Sequence, residues 1–250
     1  MVSPLYFCQT QNKYDMPNWC SNYIKISGEE SNMKPLYDFF REGEEIVETY
    51  YKQFREFREN FPDEDAFNSI GMKEVFVMST LVPEDEEFER IKESGQYLLT
   101  PYTEFWGCKW DIHIHDGLIT ECTPTKIQLS PITAWSPPEP FCRRLSEKYG
   151  VDVEISFSEG GANFAGRSSY SNGEEVESVT YPYREGMYYL DNESFWYDVE
   201  SDLEWMFCEN PNITFDEVLG TMYPFITDED DIKTLTEIYN DYKVDETTEE

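Results

Sequence analysis

The chain's two histidines stand two residues apart, in Asp111-Ile112-His113-Ile114-His115-Asp116. Alternate residues of a strand share a face, so His113 and His115 could hold one metal ion with Asp111 as a further ligand. A structural metal site needs more ligands than this segment supplies, and the plainer reading is a solvated polar strand face. These three residues are therefore weak metal candidates, and no cofactor is expected. Paired carboxylates could act as acid and base. With 52 Asp and Glu in 250 residues, however, almost any fold brings some together, so their proximity carries little information. Asp228-Glu229-Asp230-Asp231 lacks the alternating ligands and glycine of a calcium loop. It suits a helix N-terminus, where acids favour the macrodipole. The six cysteines (Cys8, Cys20, Cys108, Cys122, Cys142, Cys208) contain no C-x-x-C pair, and free buried thiols are expected. There is no phosphate-binding glycine loop and no nucleophile elbow. No catalytic residue is named, and an enzyme is not expected.

Charge is more informative than any motif. The chain carries 52 acids against 19 Lys and Arg, a formal net charge of −33. From Ser171 to Glu250 there are 23 acids and three bases (Arg184, Lys233, Lys243), a net of −20. Such a surface repels nucleic acid and anionic membranes and attracts basic surfaces. Aromatic residues make up 16% of the chain, far above an unfolded acidic tail, so the charge belongs to a packed body. No basic leader and no apolar run of membrane length is present, and a cytoplasmic protein is expected.

The pattern around these residues sets the elements. Tyr23 to Ser27 reads as a strand closed by Gly28. A helical stretch follows Ser31, and Gly43 reads as a break before a stronger helix from Glu44 to about Glu59. Lys73–Val82, Trp110–His115, Lys126–Ala134 and Val151–Phe157 read as strands, and Glu84–Glu93 as a short charged helix. Glu139–Tyr149 reads as a helix capped by Gly150. Asn172-Gly173 predicts a hairpin between Phe164–Tyr170 and Val176–Tyr183. Beyond Arg184 the pattern is helical: Phe195, Trp196, Val199, Leu203 and Met206 share one face. Thr214-Phe215-Asp216-Glu217 is a capping box, and Asp228 suits a further cap before Ile232, Leu235, Ile238 and Tyr242. Val244–Glu250 is expected to fray.

Met16-Pro17-Asn18-Trp19-Cys20-Ser21-Asn22 resembles the opening of the Api-like (YubB-like) family, proteins encoded by phages and plasmids. Further likenesses lie at Trp106-Gly107-Cys108-Lys109-Trp110-Asp111 and at Thr133-Ala134-Trp135-Ser136-Pro137-Pro138-Glu139-Pro140. Leu145-Ser146-Glu147-Lys148-Tyr149 and Phe164-Ala165-Gly166 add two more. The resemblance covers roughly residues 16–170. It implies an α+β fold, with a ferredoxin-like βαββαβ antiparallel sheet and helices on one face. It also implies a mobile-element source, and it carries over no functional residue. The expected organisation is an N-terminal extension (1–15), a ferredoxin-like domain (16–183) and an acidic helical region (184–250).

A duplex about 45 Å long, near the width of a 250-residue globule, bears roughly 26 phosphates. The acidic surplus is of that order. The expected function is therefore an acidic interaction protein, a nucleic-acid mimic that binds and inhibits a basic host protein, in the cytoplasm of an infected bacterium. A defence nuclease or another nucleic-acid-binding protein is the partner class. Partner contact is assigned to Glu200, Asp202, Glu204, Glu209, Asp216, Glu217, Asp228, Glu229, Asp230 and Asp231. The alternatives are a metal-dependent enzyme or small-ligand binder on the sheet, and a phage structural or assembly protein.

Overall fold

The structure is a computed structural model that describes residues 18–61 and 74–245. The expected extension at 1–15, the first residue of the expected strand at 73 and the last residues of the chain lie outside them. The described chain divides into two units: residues 74–162 and 168–178 join 18–61 in the first, and Asn163–Arg167 joins 179–245 in the second. The fold class is α+β.

In the first unit, β1 (Trp19–Ser27) runs into the long helix α1 (Glu30–Asn60). Three short helices follow: α2 (Met78–Leu81), α3 (Glu86–Ser94) and α4 (Pro101–Phe105). The chain then forms β2 (Ile119–Thr123), β3 (Lys126–Leu129), β4 (Ile132–Ala134), α5 (Glu139–Tyr149), β5 (Asp152–Glu159), β6 (Phe164–Ser171) and β7 (Glu174–Tyr181); of the last two strands, only Ser168–Ser178 belongs to this unit. The strand order is β2-β3-β1-β5-β6-β7, with β4 also paired to β1. Its first four strands reproduce the ferredoxin-like arrangement: β1 lies between β3 and β5 and is antiparallel to both. The β6–β7 hairpin extends that sheet. Register explains the core. Ile24 pairs with Leu129 and Ile155, and Ile26 with Ile127 and Val153. All six are buried, and α1 and α5 pack on the sheet against β2 and β5 respectively. The intervening Trp19 and Tyr23 remain 46% and 41% exposed on the opposite face.

Gly43 does not break α1. The position its side chain would occupy faces Ile114, whose Cδ1 would lie 2.3 Å from a β-carbon at position 43. The glycine is a packing contact within one continuous helix. The expected strand at Lys73–Val82 is also corrected. Phe76 makes only an isolated bridge to His113, and the chain turns directly into α2. Trp110–His115 alternates as expected, with Ile112 and Ile114 buried, but it forms only that bridge. The strand that takes its place in the sheet is β2. Lys126–Ala134 is two strands rather than one, because Pro131 interrupts the ladder. Buried Asn22 satisfies the interruption. Its side-chain amide donates to the carbonyls of Cys20 and Pro131 and to Thr133 Oγ1.

The three tryptophan motifs meet around Lys109. Its ammonium lies 5.0 Å from the Trp110 ring and 4.8 Å from that of Trp135, and Trp19 packs on Trp110 at 5.9 Å. Trp106 is core, with its indole nitrogen donating to the Val82 carbonyl. The hairpin turn is as expected: Asn172 and Gly173 hold φ of 50° and 83°, the geometry that Asn-Gly favours.

The second unit is built on four helices: α6 (Tyr183–Leu190), α7 (Asn192–Glu209), α8 (Phe215–Met222) and α9 (Glu229–Asp245). Phe195, Val199, Leu203, Met206 and Phe207 turn one side of α7 inward, onto Val218, Tyr223, Leu235 and Tyr239. Gly186 is required by Ala165, whose side chain would stand 2.7 Å from a β-carbon there. Both sequence-predicted caps form. Thr214 and Glu217 make the reciprocal capping box of α8. Asp228 accepts the amides of Asp230 and Asp231 at the start of α9.

Candidate functional site

The histidine segment does not assemble a metal centre. Asp111 is committed to the backbone: its Oδ1 accepts the Met78 and Ile112 amides at 2.7 Å, and its Oδ2 accepts Ser79 at 2.9 Å. This carboxylate caps α2. The His113 ring packs against Phe76 at 4.3 Å in a tilted arrangement, and its Nδ1 is 3.9 Å from Glu74. His115 Nδ1 lies 2.8 Å from the Asp116 carbonyl. Among the described residues no three Asp, Glu, Cys or His side chains converge as metal ligands. The five described cysteines are free. Burial pushes the thiols of Cys20 and Cys108 up to about 12, which keeps them protonated and unreactive.

The ten partner-binding candidates separate into two groups. Glu200, Glu204 and Glu209 on α7, Asp216 on α8, and Glu229 and Asp230 on α9 are exposed. The other four have work inside the unit. Asp202 pairs with Arg184. Glu217 completes the α8 capping box, and that hydrogen bonding holds its carboxyl below the usual range. Asp228 caps α9, and Asp231 accepts the Tyr188 hydroxyl at 2.5 Å.

The sequence reading missed the rest of the outer face of α7. Tyr197 is 75% exposed and Trp205 63%. With Ser201 they recur every four residues, one stripe along the helix. Glu193, Glu200 and Glu204 run beside them, also exposed. No Lys, Arg or His occurs anywhere in α7. The signal was present in the sequence: once Phe195, Val199 and Leu203 are assigned inward, Tyr197 and Trp205 must point out.

A cleft of about 230 Å³ opens beside this face, lined by Tyr183, Arg184, Phe195, Asp198, Asp202 and Tyr223 among others. The Arg184 guanidinium grips Asp202 as a fork, Nε to Oδ2 at 2.7 Å and Nη2 to Oδ1 at 3.1 Å. The buried Tyr223 hydroxyl donates to Asp202 Oδ2 at 3.0 Å. Tyr183 donates to Asp198 Oδ2 at 3.0 Å. Burial and that bond push the Tyr183 phenol up to about 12, and burial together with Asp202 pushes Tyr223 up further, so both remain donors. The bond to Asp202 raises Arg184 as well.

Residues 106–200 match the family model described as the ferredoxin-like domain in Api92-like protein. The matched segment runs from Trp106, just after α4, through β2–β7 and α5 into α7, and the sheet order above is that fold's. A solved structure, protein Api92 from Yersinia pseudotuberculosis, is 11% identical, covering 66% of this chain and 98% of its own, with a TM-score of 0.39. No curated protein matches. No helix among the described residues is long and apolar enough to cross a membrane.

Proposed function

We propose that this chain is an acidic interaction protein whose second unit engages a basic surface of another protein. The observation that carries the reading is the outer face of α7: a row of exposed glutamates, no base on the helix, and two exposed aromatic side chains beside the row. Trp and Tyr dominate binding hot spots because they bury a large rigid surface at little entropic cost. Glutamates beside them select a cationic partner and speed its approach. On this reading the carboxylates stand where phosphates would, so nucleic-acid-binding proteins are the natural partner class. The resemblance to Api-like proteins makes a phage or plasmid origin, and a host defence nuclease or DNA-binding protein as target, part of the same proposal.

The test is competition. Labelled duplex DNA is bound in turn to a panel of purified bacterial nucleoid proteins and nucleases, and the full-length chain is titrated in. It should displace DNA from at least one member, with a steep salt dependence, and should not bind the duplex itself. The variant carrying Glu200→Gln, Glu204→Gln and Glu209→Gln should displace it far less. Displacement undiminished by those substitutions, or none from any panel member at low salt, overturns the reading.

A further inference from the structure

The cleft beside α7 has the chemistry of a receptor for one cation. Three aromatic rings, Tyr183, Phe195 and Tyr223, line it; Phe195 and Tyr223 are buried, Tyr183 is partly exposed, and an aromatic ring attracts cations. Two carboxylates line it with them, but they are not equivalent. Asp202 is matched: its two oxygens accept the Arg184 fork and the Tyr223 hydroxyl. Arg184 and Asp202 therefore cancel as charges. Asp198 is different. Its Oδ2 accepts the neutral Tyr183 hydroxyl, and among the described residues no cation pairs with it. The cleft is left with one uncompensated negative charge beside the partly exposed ring of Tyr183. Anions are disfavoured there because the one guanidinium is already held bidentate.

Size narrows the occupant further. At about 230 Å³ the cleft falls below the roughly 300 Å³ where sites for drug-sized ligands begin. It suits a side chain better than a metabolite. A guanidinium fits both features, since it stacks on aromatic faces and hydrogen-bonds a carboxylate at its edge, whereas an ammonium is a strongly hydrated point charge. Exposed Ser201 also lines the cleft, and it lies in the stripe of Tyr197 and Trp205. A side chain entering there would come from a surface resting on that stripe. We infer that the cleft seats one arginine side chain of the basic partner. This rests on the reading of α7 as a contact face, and it names the residue the partner must present.

The experiment uses the full-length 15N-labelled chain and three small probes: acetyl-arginine amide, acetyl-lysine amide and the neutral isostere acetyl-citrulline amide. Arginine should give weak, saturable shifts confined to the amides of Asp198, Ser201 and Asp202 and their neighbours, lysine weaker ones, and citrulline none. Asp198→Asn keeps an oxygen for the Tyr183 hydroxyl and should weaken arginine binding about tenfold, the loss of one charge-assisted bond. Glu56→Gln, at an exposed position of α1 in the first unit, should leave it unchanged. Equal shifts with citrulline, or an arginine response indifferent to Asp198→Asn, overturn the inference. If arginine instead shifts only the exposed acids of α7 and loses that response in Glu200→Gln/Glu204→Gln, the cleft proposal falls while the acidic contact face stands. Shifts with none of the probes, together with failed DNA displacement, remove both.

Discussion

Tyr223→Phe isolates a single hydrogen bond at the centre of the second unit. Tyr223 is fully buried, and its hydroxyl reaches the carboxylate that Arg184 also holds. Phenylalanine keeps the ring and removes only the donor. A hydrogen bond to a charged group contributes about 1.5–3 kcal/mol. The Asp202 side chain is 27% exposed and the Arg184 fork remains, so water offsets part of the loss. The expected cost is therefore near the low end, about 1.5 kcal/mol. For a unit of this size that is roughly 6–12 °C in melting temperature, provided it unfolds cooperatively. Urea unfolding should show a lower midpoint at unchanged slope. Amide exchange should locate the destabilisation in α7 and α8. In an Asp202→Asn background the same substitution should cost about 1 kcal/mol less, because the charged acceptor has gone. A change under about 0.5 kcal/mol, or full additivity in the cycle, would refute the assigned role of the network.

Two further outcomes follow from the first unit. Glu87 is held below the usual carboxylate range by its hydrogen bond and charge contact with Arg144, 2.7 Å away, which ties α3 to α5. A depressed folded value stabilises above the unfolded value of about 4.3, and that contribution is lost as pH falls through the folded value. Stability measured from pH 6 to pH 3 should therefore decline less steeply in Glu87→Gln. Because the Glu87 side chain is 45% exposed, the variant should lose only about 0.2–1 kcal/mol at neutral pH. Gly43→Ala gains about 1 kcal/mol of helix propensity but drives its β-carbon into Ile114, for a cost of about 1–3 kcal/mol. It should be net destabilising in thermal unfolding. In an Ile114→Val background, which removes the offending Cδ1, it should become stabilising; a sign that does not change would discount the contact.

Local chemistry was legible and pairing at a distance was not. The Asn172-Gly173 hairpin, the Gly150 terminus and the Thr214 box announce themselves because one or two residue types fix the backbone there. Gly43 misled for the same reason: a glycine inside a helical pattern looks like a break, and only Ile114, 71 residues on, explains it. Ile119–Thr123 was overlooked because its alternation is weak and none of its residues is fully buried. Trp110–His115 has the better strand pattern, yet its alternation reflects only burial of Ile112 and Ile114. The acids of the last third were visible as a group, but their division was not. Whether an aspartate faces solvent or serves a cap depends on partners such as Arg184 and Tyr188, which lie 18 and 43 residues from Asp202 and Asp231. The cleft is the extreme case, assembled from three helical segments by side chains that carry no mutual spacing signal.

The strand order ends on β7, which carries exposed glutamates on both of its faces, Glu174 on one and Glu175 on the other. An open strand edge invites a second chain to add to it, and like charges on both would oppose that addition. The hairpin that lengthens the sheet thus ends in a border that discourages fibril-like growth. Neutralising Glu174 and Glu175 should leave the fold intact while making concentrated solutions turn cloudy.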